Sequence, residues 1–170
     1  MLEVLKYILP SLVVLLASWL ATEKQMKNED ARRNFELRKQ SQKVVSAVRL
    51  QAYERFTLYL ERLDPSRMLL RLDLNGINCR QLQQQLLQIV RNEFDHNLSQ
   101  QIYIGDEVWA SIVFAKEEML RFVNTCAQQF AASDDAMPMA KLLVTSYSMN
   151  GETPTQRALA MLKEEVRTIM

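Results

Sequence analysis

The feature that most constrains this chain is an apolar stretch at its amino-terminal end. Residues 7–22 carry no charged side chain, and the nearest charge before them is Lys6. An α-helix over residues 2–22 is about 30 Å long at ~1.5 Å per residue, which matches the hydrocarbon layer of a bilayer. Lys6 can reach the membrane surface through its long aliphatic stem. The stretch therefore predicts a transmembrane anchor over residues 1–22.

Two other interpretations of this stretch stay open. A cleaved signal peptide needs small residues one and three positions before the cut. A cut after Ser18 has Leu16 at the third position before it, and a cut after Ala21 has Trp19 there. Neither residue is small. A helix buried in a protein core is apolar on one side, whereas this stretch is apolar around every face. The anchor fits the pattern best.

The charges on either side of the stretch predict its orientation. Seven basic residues follow it, whereas only Lys6 and the free amine precede it. Because Lys and Arg accumulate on the cytoplasmic side, we expect a single-pass protein of the inner (cytoplasmic) membrane. Its amino terminus would lie outside and its body in the cytoplasm. The seven residues are Lys24, Lys27, Arg32, Arg33, Arg38, Lys39 and Lys43.

Helical patterns continue through the rest of the chain. Residues 23–43 contain no Gly or Pro and few apolar side chains, which predicts a charged, solvated helical stalk. Over residues 44–170, apolar stripes at helical spacing alternate with turn and capping signals, which indicates a bundle of about five helices. The predicted fold is all-α: a transmembrane helix, a stalk and this bundle. The separating signals are Asp64 with Pro65, Asn75 with Gly76, Gly105 with Asp106, residues 133–135, and a capping box over residues 153–156.

The first stripe of the bundle shows the pattern most clearly. Its members recur every three or four residues, so they share one face of a helix. A third stripe places Cys126 among apolar residues, where a cysteine behaves as a small hydrophobe. It comprises Val108, Ile112, Met119, Val123, Cys126 and Phe130. We expect Trp109 and most methionines to fill the core as well. The first stripe comprises Val45, Val48, Ala52, Phe56, Tyr59 and Leu63, and a later one comprises Leu82, Leu86, Val90, Phe94 and Leu98.

The charge distribution changes along the chain. Residues 23–62 carry 10 basic and 6 acidic side chains, whereas residues 63–170 carry 10 basic and 13 acidic ones. A basic segment beside a bilayer can bind anionic lipid, although it can equally serve topology and solubility alone. Because the body is net acidic and lacks basic stripes interleaved with aromatic residues, we expect no nucleic-acid partner. The lipid-surface candidates are Lys24, Lys27, Arg32 and Arg33.

Several classes of chemistry are excluded by residue counts. The 3 glycines are isolated from one another, so no glycine-rich phosphate loop or dinucleotide fingerprint can form. One histidine, His96, cannot supply an HExxH or Cys2His2 metal site within one chain. The 2 cysteines form neither a CxxC pair nor a disulfide framework, and they fit a reducing compartment. We therefore expect no cofactor and no enzymatic activity.

One local pattern supports the opposite interpretation. Glu93 and His96 are three residues apart, which places a carboxylate and an imidazole on one helical face, as in di-iron carboxylate bundles. Because the chain has no second histidine, a complete metal site would require a symmetric dimer. A histidine at a helix surface or packing interface is the simpler interpretation. A nucleophile pair of His96 with Cys126 is disfavoured by the apolar position of that cysteine.

The most unusual local composition is the polar run over residues 96–103. Amide-rich residues at a helix end either bind a partner or satisfy the backbone groups of the turn. We expect a protein partner or a homo-oligomer for a chain with an anchor, a basic stalk and no catalytic cluster. The candidate partner-binding residues are Arg49, Tyr53, Glu54, His96, Asn97, Gln100, Gln101 and Tyr103.

Several segments together resemble a family of uncharacterised bacterial proteins. They are residues 49–55, 60–62, 93–103 and 162–166, with Pro65, Trp109, Pro154, Ala158 and Leu159. Members tend to carry Glu at the position of Asp95. The resemblance implies one amino-terminal membrane helix and a helical body over nearly the whole chain, and it implies no activity, cofactor or site.

These observations favour a non-enzymatic scaffold or interaction module at the membrane, which docks a partner or self-associates. Two alternatives remain: a metal-binding or enzymatic bundle that uses Glu93 and His96 across a dimer, and a sensor of anionic lipid surfaces. The lipid bilayer is a partner in each of them.

Overall fold

The computed structural model describes the backbone of residues 2–149 and 151–169. Side chains are described over residues 45–149 and 151–168 and at scattered positions before residue 45. The chain divides into two compact units, Met1–Ala47 and Val48–Met170. The second unit contains the bundle and all contacts discussed below between distant parts of the chain.

The described residues form α-helices joined by short loops and one 3₁₀ helix. Within them there is no β-strand, and Asn78 and Asp135 form one isolated antiparallel bridge. The prediction of an all-α fold is confirmed. The elements are α1 (Leu2–Arg62), α2 (Pro65–Leu69), α3 (Cys79–Asn97), a 3₁₀ helix (Leu98–Tyr103), α4 (Asp106–Ala127), α5 (Ala136–Met149) and α6 (Pro154–Ile169).

Capping boxes begin two of the helices. The Asn78 side chain accepts a hydrogen bond from the Gln81 amide at 2.9 Å, and the Gln81 side chain accepts one from the Asn78 amide at 3.0 Å. Thr153 and Gln156 form the same pair of bonds before α6, at 3.3 and 3.0 Å. Each box satisfies amides that lack a partner inside the helix. The predicted capping box over residues 153–156 is confirmed.

The core of the second unit consists of one apolar stripe from each long helix. Trp109 packs between Phe56 and Phe94, with ring centroids 5.7 and 5.4 Å away, and Tyr59 lies against Phe94 at 5.9 Å. Full burial of a large apolar side chain contributes about 1.5–3 kcal/mol, so this aromatic cluster is a major source of stability. The predicted burial of Cys126 and the core position of Trp109 are confirmed.

Two members of the predicted stripes are exposed. Val45 is 54% exposed, because it belongs to the first unit, ahead of the residues that form the core. Leu98 is 40% exposed, because α3 ends at Asn97 and the chain tightens into the 3₁₀ helix there. A 3₁₀ helix has ~3.0 residues per turn instead of the ~3.6 of an α-helix, so Leu98 does not continue the apolar stripe of α3 and turns away from the core.

Among the residues that the structure describes, no helix is long and apolar enough to cross a membrane. The predicted anchor over residues 1–22 falls mostly on side chains outside the described residues. The anchor therefore stays a prediction.

Candidate functional site

Within the second unit, the last part of α1 (residues 48–62) runs antiparallel to α6, and a groove separates the outer faces of these two segments. Tyr53 of α1 bonds to Glu165 near the end of α6, whereas Leu60, farther along α1, shares a cavity with Leu159, nearer the start of α6. The groove has a volume of about 580 Å³. Its rims are formed by Leu50, Glu54 and Leu58 on α1 and by Lys163, Val166 and Arg167 on α6. We call it the α1/α6 groove.

The rim of the groove on α1 is apolar and open to solvent. Leu50 and Leu58 are 45% and 55% exposed, and they lie four residues on either side of Glu54. They therefore form one ridge along the helix. A single exposed leucine is ordinary on a protein surface, but two that border one groove form the kind of apolar patch that marks an interaction site.

The charges of the groove have opposite signs on its two rims. Glu54 stands on the α1 rim, and Lys163 and Arg167 stand on the α6 rim. Arg167 forms an ion pair with Glu164 at 3.2 Å, and both side chains are exposed. Exposed pairs of this kind contribute little, about 0.3–0.5 kcal/mol. Arg167 is thus available to a partner in the groove.

A partly buried hydrogen-bond network lies next to the groove and joins α1, α6 and the 3₁₀ helix. The Tyr53 hydroxyl donates to Glu165 Oε1 at 2.7 Å, and the Gly105 amide donates to the same oxygen at 2.9 Å. Arg49 donates to the Tyr53 hydroxyl at 3.1 Å and to the Tyr103 carbonyl at 3.3 Å. The network fixes the relative positions of the groove's two helices.

The network accounts for several predicted partner-binding residues. Arg49 and Tyr53 bind Glu165, and Arg49 also donates to the Tyr103 carbonyl, so these residues bind one another rather than facing outward as one surface. Burial raises the pKa of the Tyr53 hydroxyl, and its bond to Glu165 raises that pKa further. At Gly105 an added Cβ would lie 3.1 Å from Glu165 Oε1, so the carboxylate would have to shift to admit a side chain there.

The remaining candidates in the polar run occupy different environments. Asn97 is buried, and its side chain donates to the Glu93 carbonyl at 2.7 Å, which satisfies the end of α3. Gln100 is half-buried, and His96 and Gln101 are exposed. Among the side chains that the structure describes, none of these four lines the α1/α6 groove. Two other predicted partner-binding residues do line it: Glu54 stands on its rim, and the buried Tyr53 forms part of its wall. The partner-binding roles of all these residues stay predictions.

The Glu93 carboxylate is occupied by arginines. It pairs with Arg71 at 3.1 Å and with Arg62 at 3.4 Å, which links α3 to the end of α1 and to the loop after α2. Within the described residues, no group of three or more His, Cys, Asp or Glu side chains could hold a metal ion. A metal site shared by Glu93 and His96 of two copies would have to displace these ion pairs, and it stays a prediction.

The two cysteines are both buried. Burial raises the pKa of the Cys79 thiol and of the Cys126 thiol, so both favour the protonated, unreactive form. Cys79 also donates its S–H to the Asp135 carbonyl at 3.2 Å. These environments suit structural cysteines.

The lipid-surface candidates belong to the first unit. Lys24, Arg32 and Arg33 are exposed, and Arg32 pairs with Glu36 at 3.1 Å. The side chain of Lys27 lies outside the described residues. Their binding to anionic lipid stays a prediction.

The residues that define the groove are not among those predicted from the sequence, apart from Glu54 and Tyr53. Leu50 and Leu58 lie off the main stripe of α1, and their spacing of four residues from Glu54 is the signal that could have identified a second ridge. Glu165 gave no such signal, because its partner Tyr53 is 112 positions away in sequence.

Comparison with known proteins gives one match. A family model described as "Family of unknown function (DUF7935)" matches residues 1–169. The predicted resemblance to a family of unknown function is confirmed, whereas the bacterial source and the membrane helix that it implied stay predictions. No curated protein and no solved structure matches the chain.

Proposed function

The chain belongs to a family of unknown function, DUF7935, and on that premise we propose that it is a membrane-anchored, non-enzymatic docking module whose α1/α6 groove receives a protein helix. The observation that carries the proposal is the exposure of Leu50 and Leu58 along the rim of a groove of about 580 Å³. An amphipathic helix binds in such a groove by inserting apolar side chains spaced three or four residues apart.

The architecture of the groove suits a docking role. The bond from Tyr53 to Glu165 ties α1 to α6 beside the groove, and the bond from the Gly105 amide holds the same carboxylate in place. A rigid receptor loses less conformational entropy on binding than one that must first order itself. The exposed leucines provide apolar area, and the charged rim residues provide orientation.

The membrane anchor is the second part of the proposal. Its support is the uncharged run over residues 7–22 and the excess of Lys and Arg that follows it. The body then works at the cytoplasmic face of the inner membrane. Alkaline extraction tests this part: the full chain stays in the membrane pellet, and a chain without residues 2–22 is released. Release of the full chain would overturn the anchor without touching the groove.

The non-enzymatic part rests on the state of the reactive side chains. Glu93 is held by two arginines, and burial raises the pKa of each thiol. His96 is exposed and lies outside the groove lining. A catalytic cysteine would need a lowered thiol pKa, and burial shifts the pKa of both thiols in the opposite direction.

A site-specific crosslinking experiment tests the docking function. A photo-reactive residue replaces Leu58 in the full chain, and a matched chain carries it at Leu70, which is 86% exposed and does not line the groove. We expect the Leu58 probe to give a discrete crosslinked protein in cells, lost when Leu50 is changed to Glu. Equal, diffuse labelling from both positions would contradict a docking groove.

A further inference from the structure

Each rim of the α1/α6 groove carries one charged residue, Glu54 or Lys163, without a partner among the described residues. Glu54 and Lys163 are both exposed, and neither forms a hydrogen bond or an ion pair with any other described residue. Unpaired charges on the rim of an apolar groove suit a partner that presents the complementary pattern. This chain's own surface presents the complementary charge pattern, because one face carries both a negative rim and a positive rim.

The charges also stand at the same level along the groove. Helices α1 and α6 are antiparallel, and the hydrogen bond from Tyr53 to Glu165 fixes their register. Glu54 follows Tyr53 directly, and Lys163 lies two residues before Glu165, so the two rim charges lie near one another along the groove axis. This register decides which symmetric arrangements place opposite charges together.

We propose that the occupant of the groove is a second copy of this chain, related by a two-fold axis that runs along the groove; the inference rests on the docking function proposed above. Such an axis exchanges the two rims and preserves the level of each residue. Glu54 of each copy then faces Lys163 of the other, and the Leu50–Leu58 ridge of each copy packs against Val166 of the other. A two-fold interface makes every such contact twice.

The other simple axis is unfavourable. A two-fold axis that crosses the groove at right angles would place α1 against α1 and bring the two Glu54 carboxylates together. Like charges at an interface oppose association, so the charge pattern discriminates between the two arrangements.

Charge reversal provides the first test. We expect Glu54→Lys or Lys163→Glu in the full chain to weaken self-association by about tenfold or more, because each change creates two like-charge contacts per dimer. The double variant, with both changes, restores it. Since both residues are exposed and neither has a partner among the described residues, we expect the fold to tolerate either change. Association is measured by energy transfer between two labelled populations of full-length chain in vesicles.

Disulfide crosslinking provides the second test and reports geometry. Two differently tagged full-length chains are co-expressed, one with Glu54→Cys and the other with Lys163→Cys, and membranes are oxidised. We expect this pair to crosslink more efficiently than two copies of Glu54→Cys, whereas Leu70→Cys gives no product with either. The native Cys79 and Cys126 do not interfere, because both are buried.

The outcomes separate this proposal from the docking function. If the Leu58 probe crosslinks only to a different protein and the labelled copies show no energy transfer, the second copy is wrong and the docking function stands. If the copies associate but charge reversal has no effect and Glu54→Cys pairs with itself, the proposed axis is wrong. If the Leu58 probe crosslinks neither to a second copy of this chain nor to a different protein, both proposals fail.

Discussion

Two buried tyrosines of α1 should respond in opposite ways to replacement by phenylalanine. Tyr53 and Tyr59 are both buried, and replacing either by Phe removes one hydroxyl group and no carbon. The Tyr53 hydroxyl donates to a carboxylate at 2.7 Å and accepts from Arg49 at 3.1 Å, whereas the Tyr59 hydroxyl is buried with no hydrogen-bond partner among the described residues. Removal of the hydroxyl should therefore lower the free energy of unfolding at Tyr53 and raise it at Tyr59.

The magnitudes follow from these contacts. A hydrogen bond to a charged group contributes about 1.5–3 kcal/mol, and Tyr53→Phe also leaves the half-buried Glu165 carboxylate with one donor fewer. We expect Tyr53→Phe to lower the free energy of unfolding by about 1.5–3 kcal/mol. A buried hydroxyl without a partner costs about 1–3 kcal/mol in desolvation, so Tyr59→Phe should raise the free energy of unfolding by roughly 1 kcal/mol.

Urea-induced unfolding of the full chain in a mild detergent, followed by circular dichroism, measures both variants. Tyr103→Phe is the matched control, because its hydroxyl makes no hydrogen bond among the described residues and its carbonyl keeps the bond to Arg49. We expect the control to change stability by less than about 0.5 kcal/mol. A loss of similar size in Tyr53→Phe and Tyr59→Phe would refute the reasoning.

Four further predictions follow from other contacts. Gly105→Ala should destabilise the chain by about 1–2 kcal/mol in the same unfolding assay, because its Cβ would lie 3.1 Å from Glu165 Oε1; an unchanged midpoint would contradict this packing. Glu93→Gln should cost about 0.5–1.5 kcal/mol, and the loss should shrink with added salt, since its two ion pairs are partly exposed; a salt-independent loss would contradict an electrostatic origin. Burial raises the pKa of the Tyr59 hydroxyl above its ordinary 10.0 in the folded chain. Above pH 10 this hydroxyl ionises more readily in the unfolded chain than in the folded one, so the free energy of unfolding declines as the pH rises. Tyr59→Phe should make that decline shallower, and an identical slope in both proteins would count against this assignment. Purified full chain should contain no stoichiometric iron or manganese by elemental analysis, and metal that is lost in His96→Ala would favour the metal-protein alternative.

Much of the helical layout could be predicted because its signals are local. Asp64 accepts a hydrogen bond from the Ser66 amide at 2.8 Å with Pro65 at the first helical position, and a capping box begins α6, both as predicted. Gly76 has a φ of +70°, a conformation that glycine adopts without steric cost. Caps and turns depend on residues within four positions of one another, so the amino-acid order alone reveals them.

The candidate site depends on contacts that no local pattern shows. The spacing of Arg49 and Tyr53 suggests that they are neighbours on α1, but their shared partner Glu165 comes from α6, 112 positions beyond Tyr53. Likewise, Leu50 and Leu58 look like surface leucines until α6 is placed beside them and a groove forms. Such sites arise from tertiary packing, and only the assembled bundle reveals them.

The most direct test of the docking account is the solvent protection of its groove in native membranes. Hydroxyl-radical footprinting of the full chain, read by mass spectrometry, reports the oxidation of Leu50, Leu58 and Leu70, whose exposures in the isolated chain are 45%, 55% and 86%. The account predicts strong protection of Leu50 and Leu58 relative to Leu70, and loss of that protection in Glu54→Lys. Oxidation of all three leucines in proportion to these exposures would contradict it.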